Sequence, residues 1–160
     1  IDGVTNEMQA VMEDIIRYST SDLLCYRANA PEGLVEKQRE HWDPLLDWCS
    51  DAFGARFETA EGIMHVEQPK EAVAAFSNRL KVHEDGFKLA AIHTFTSISG
   101  SALIALALAD RQISLEQAWS AAHVDEDWNV SLWGEDWEAK ERREQRWVDF
   151  SAAHAFYETL

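Results

Sequence analysis

The chain has 160 residues, 46% of them apolar and including seven Trp and seven Phe, which is material for one buried core and sets one domain as the expectation. Its formal charge of −15 argues against phosphate backbones and anionic lipid as partners, since binding either needs a clustered basic face. With seven Gly and three Pro it is not a disordered or fibrous sequence either.

The first residue is Ile1 rather than Met, which reads as a processed or shortened chain. Met8, Val11, Met12, Ile15 and Ile16 then recur at helical spacing and predict an amphipathic helix that ends near the polar run Tyr18 to Asp22. From Leu34 to Phe53 a second helical pattern is interrupted at Asp43 and Pro44, where either two helices meet or one is kinked, and Gly54 closes it. Residues 55–67 alternate, and with Glu61 and Gly62 in the middle they predict a small β-hairpin. Pro69 opens a third helical unit that ends near Gly86.

The stretch from Phe87 to Ala109 is the most apolar in the chain. Thr and Ser residues run through it and Asp110 and Arg111 close it, so it predicts the central helix of a bundle rather than a membrane span, with Ser99, Gly100 and Ser101 admitting a close neighbour. Ser114 and Gln117 have capping-box spacing and start a short helix. A last helical segment begins between Asp125 and Glu135 and runs toward Phe156. The fold class expected is therefore mainly α, multihelical around a central apolar helix, with the one hairpin.

Reactive groups do not converge in this sequence. It has no Gly-rich phosphate loop and no nucleophile elbow. Cys25 and Cys49 sit in apolar surroundings without CxxC spacing and read as reduced core residues. Of the six dispersed histidines, His93 reads as a hydrogen-bonded core residue, and His123 with Asp125, Glu126 and Asp127 as a helix start with acids at its positive end rather than a metal site. No catalytic residue, cofactor or metal is expected. A small enzyme with an unrecognised carboxylate or His site, and a scaffold for an already assembled complex, stand as the competing classes.

Two stretches carry a resemblance. One runs from Asp22 to Trp48, with LLCYRA followed by Pro31, Leu34, Val35, Gln38 and WDPLLDW; the other spans Ala118 to Asp136, with AW, DEDW and WGED. With Gly100 and Ser101 between them, they resemble the family of assembly chaperones for the alpha subunit of the F-type ATP synthase head. The family commonly has Gln four residues before the Trp–Gly pair, where this chain has Asn129, and small residues where it has Trp137. The resemblance implies a β-rich N-terminal domain followed by a helical one, and this chain looks like the helical domain alone, residues 1–160. It also implies a monomer that holds the unassembled alpha subunit until the beta subunit arrives, in the bacterial cytoplasm or the mitochondrial matrix, without membrane insertion.

Such a client exposes apolar interface, and an aromatic patch with a charged rim can cover it and still let go. Trp128, Trp133 and Trp137 beside Asp125, Glu126, Asp127, Glu135 and Asp136 have that composition, and Gln38 is a further candidate contact. The competing reading gives Trp133 and Gly134 a helix junction to hold and the acids a helix start to neutralise.

Overall fold

In the computed structural model, which describes the backbone of residues 2–160 and the side chains of residues 7–160, the first apolar stripe forms helix α1 (Asp2–Thr20). It turns Met12 and Ile15 into the core, and Asp14 accepts a bond from His93 at 2.6 Å, tying α1 to α4 (Gly86–Ser99). The chain leaves α1 through the buried Asp22, whose carboxylate accepts the Leu24 amide and starts a 3-10 turn, Leu23–Cys25.

Helix α2 (Glu32–Phe53) is continuous through Pro44, so the Asp–Pro pair does not divide it. Pro44 has no N–H for the Glu40 carbonyl, but both residues lie on the exposed side, where water can take that carbonyl. One residue pair earlier, Trp42 is fully buried and its indole donates to the Ala121 carbonyl at 2.7 Å. Gly54, at φ 72, ends the helix as its sequence predicts.

The expected hairpin is a correction. Strand β2 (Ala60–Glu61) pairs in parallel with β1 (Tyr26–Arg27), and residues 63–67 form no second arm. Gly62 donates to the Arg27 carbonyl at 2.9 Å, so the turn is held by the distant strand. The Gln68 side-chain amide then bonds both the N–H and the C=O of Glu58, at 2.8 and 2.9 Å, the groups a hairpin partner would have used.

Helix α3 (Lys70–Leu80) leads through a 3-10 turn, Lys81–His83, to α4. The predicted central helix is in fact two, because Gly100 at φ 74 stops α4 and Ser101 caps α5 (Ala102–Ala109). Apart from its own chain neighbours and helix backbone, no atom of the described residues stands within 4 Å of where a Gly100 Cβ would be, so this glycine serves the left-handed turn rather than a close helix approach. Ser101 donates to Asp22 at 2.5 Å and the Leu103 amide donates to the other carboxylate oxygen at 3.1 Å, which anchors α5 on the α1–α2 connection. Every residue of α5 is buried.

The far end of α5 is held by Asp110, which accepts from His83 at 2.5 Å and from Arg79 at 2.9 Å, while the Tyr157 hydroxyl donates to the Ala109 carbonyl at 3.0 Å. Ser114 and Gln117 form the predicted capping box at the start of α6 (Leu115–Ala122). The last segment is two helices, α7 (Val124–Trp133) and α8 (Trp137–Glu158), and α8 lies over α4 through Phe95, Phe150 and Tyr157. Among the described residues no helix is long and apolar enough to cross a membrane.

Candidate functional site

His123 ends α6 and opens α7, with its ring Nδ1 2.7 Å from the Trp119 carbonyl. Burial holds the ring below its usual pKa, and Arg143 and Arg146 add to that, so it is neutral at pH 7 and keeps its proton on Nδ1. Asp125, Glu126 and Asp127 occupy the first turn of α7, at its positive end.

Each of these acids has a partner within the chain. Gln38 donates to Asp125 at 2.7 Å while accepting the Ala28 amide at 2.8 Å. Arg143 meets Asp127 at 2.5 Å and Glu126 at 3.9 Å, and Arg146 reaches Glu126 at 3.4 Å. Arg143 also lies over the Trp119 ring, 5.8 Å from its centroid, and Trp119 packs on Trp147 and Phe150. The two arginines therefore bridge α8 to α7.

At the other end of α7 the chain reverses. Gly134 adopts φ 81 and donates to the Val130 carbonyl, and Asp136 accepts the Ala139 amide to cap α8. This elbow leaves Trp133 and Trp137 exposed, at 84% and 70%, with Leu132 beside them. A pocket of about 230 Å³ opens in the elbow, walled by Val130, Trp133 and Ala139 and rimmed by Glu135, Asp136 and Lys140.

The expected contact residues thus divide. Trp133, Glu135 and Asp136 come together at the exposed elbow, and Glu126, paired with Arg143 and Arg146, lines the same pocket; Asp127 is taken up by Arg143. Trp128 is half-buried against α2, where a Cβ on Gly33 would stand 2.6 Å from its ring. Gln38 is 2% exposed and is not offered to a partner; its reach is to Asp125. Arg143 and Arg146 were not singled out from sequence, although their three-residue spacing sets them on one face of α8.

Neither cysteine lies at this edge. Both cysteines are free and buried elsewhere, with burial pushing the Cys25 thiol up to about 12 and Cys49 higher still. Among the described residues no group of three or more His, Cys, Asp or Glu is placed to hold a metal ion.

Residues 1–50 match the family model described as ATP12 chaperone protein. The structure superimposes on that of Atu1473 from Agrobacterium tumefaciens, described as a candidate chaperone, with a TM-score of 0.93 and 54% identity over 99% of this chain and 59% of that one. It superimposes on Atp12 from Paracoccus denitrificans with a TM-score of 0.91 and 30% identity over 97% of this chain and 66% of that one, and equally on a single-residue variant of it. This chain thus spans 59% to 66% of the length of the proteins it matches. Matched by family model, fold and sequence identity, the chain belongs to the ATP12 chaperone family.

Proposed function

We propose that residues 1–160 form the helical domain of an assembly chaperone for the ATP synthase head, and that the domain holds the unassembled alpha subunit at the α7–α8 elbow. The observation that carries this reading is an exposed aromatic pair, Trp133 and Trp137, on a helical elbow with an acidic rim, in a chain of a chaperone family. Exposed tryptophans at the centre of a charged rim are suited to anchoring a partner, and a modest contact of this kind lets the client go. The acids in reach, Glu135 and Asp136, suit a basic client surface, and the charge of −15 steers such a surface inward. The role is binding, without chemistry, carried out by a monomer where the ATP synthase head is assembled, in the bacterial cytoplasm or the mitochondrial matrix.

Co-expression with an ATP synthase alpha subunit tests this directly. The subunit is expected to become soluble and to co-purify with the chain, whereas the beta subunit alone is not. Trp133→Ala and Glu135→Lys are expected to retain helicity and to lower capture at least tenfold, the size typical of an interface anchor. Full capture by both variants would move the contact surface elsewhere.

A further inference from the structure

The rim of the elbow pocket holds one acid that is engaged differently from the rest. Glu126 and Asp127 pair with the partly exposed Arg143 and Arg146, and Asp136 is taken up in capping α8. Glu135 instead lies 3.7 Å from the Lys140 ammonium, and both side chains are about half exposed, at 54% and 53%. An exposed pair of this kind adds little to stability and exchanges easily.

The pocket beside it, at about 230 Å³, is smaller than the roughly 300–1,000 Å³ of small-molecule sites. Its walls are the apolar faces of Val130, Trp133 and Ala139. That size and lining suit one apolar side chain of a protein partner. With Glu135 and Asp136 exposed at the mouth and Arg143 already paired with Glu126 in the lining, an acidic neighbour to that side chain would be repelled and a basic one drawn in.

We propose that the elbow pocket receives an apolar client side chain flanked by Arg or Lys, and that Lys140 is a built-in competitor that occupies Glu135 until the client's cation displaces it. This rests on the reading of the elbow as the client-holding edge. Lys140 then sets how readily the client is released: the internal ammonium is never further away than its own tether allows, so it recaptures Glu135 whenever the client's cation lifts off.

The test uses the whole chain and a purified or co-expressed ATP synthase alpha subunit as the probe. Lys140→Met keeps the aliphatic stem and removes the competing charge. It is expected to tighten capture about two- to fivefold in low salt, with the gain shrinking in high salt. Unchanged or weaker capture overturns the competitor role, and a gain in binding is not an outcome that misfolding produces.

Ala139→Phe fills the pocket and leaves every charge in place. With helicity and melting like those of the unmodified chain, it is expected to lose capture at least tenfold; normal capture overturns the pocket as the seat of the side chain while leaving the elbow reading intact. Failure of the unmodified chain to hold the alpha subunit would remove that reading and this inference together.

Discussion

Asp22 is a single carboxylate serving two elements, since it starts the 3-10 turn after α1 and supplies the N-terminus of α5 through Ser101 and Leu103. Burial lifts its carboxyl to about 6 from the ordinary 3.8, although hydrogen bonds from Ser101, Leu103, Leu24 and Ala102 pull the other way. Between those two values the folded chain keeps a proton that the unfolded chain has released. The stability from this group is therefore fully present below pH 4 and is lost as the pH rises through 6, a change on the order of 3 kcal/mol. Asp22→Asn has no proton to lose, so in urea unfolding the excess stability of the unmodified chain over the variant is expected to shrink between pH 4 and 6. Profiles that stay parallel across that window would show that Asp22 is ionised throughout. Asp110 behaves oppositely: burial alone would raise its carboxyl, but bonds from His83 and Arg79 outweigh burial and hold it below the usual range.

Among the elements, the break between α4 and α5 rests on Gly100 in the left-handed region with open space around it. Gly100→Ala meets no neighbour, so its effect is conformational alone, about 1–2 kcal/mol. For a chain of this size that corresponds to a melting temperature lower by roughly 2–8 °C, with the fold unchanged; an equal or higher melting temperature would mean the junction tolerates a side chain.

Elements whose signals are local could be read from sequence. The stripe Met8 to Ile16, the Ser114–Gln117 box and Gly54 each act within a turn or two of themselves. Misreadings arose where the decisive partner is distant. The strand at Ala60 is completed by Tyr26, and Gln68 satisfies Glu58 in place of a hairpin arm, which no local alternation reveals. Ser-Gly-Ser looks alike as a helix stop and as a close-packing stripe until Asp22 is known to lie against it. At the site, Trp133 and its acids were visible as composition. That Gln38 would be buried on Asp125, 87 residues away, and that Arg143 would neutralise Asp127 are facts of tertiary placement.

At the scale of the whole molecule, the first third of the chain is stitched to the second half by side-chain bonds of long sequence span. Asp14 with His93, Asp22 with Ser101 and Trp42 with Ala121 each bridge 79 residues, and Gln38 with Asp125 bridges 87. Together with the shared core, which draws on α1, α2, α4, α5 and α8 at once, these bonds couple the elbow's foundation to the N-terminal helices. Helix α2 is thus bonded to α7 through Gln38 and to α6 through Trp42.

Between the two halves runs the turn at Gly62, whose following residues Ile63 and Met64 are exposed. Backbone pairing ends there, so a cut between Ile63 and Met64 severs the chain without opening the core. After such a cut the two fragments are expected to elute together in native buffer and to part only in denaturant; separation under native conditions would show that the covalent link is required. The turn is in this sense a natural seam: if the pieces stay together, the protein can be produced as two complementing halves that carry different labels while the α7–α8 elbow remains whole.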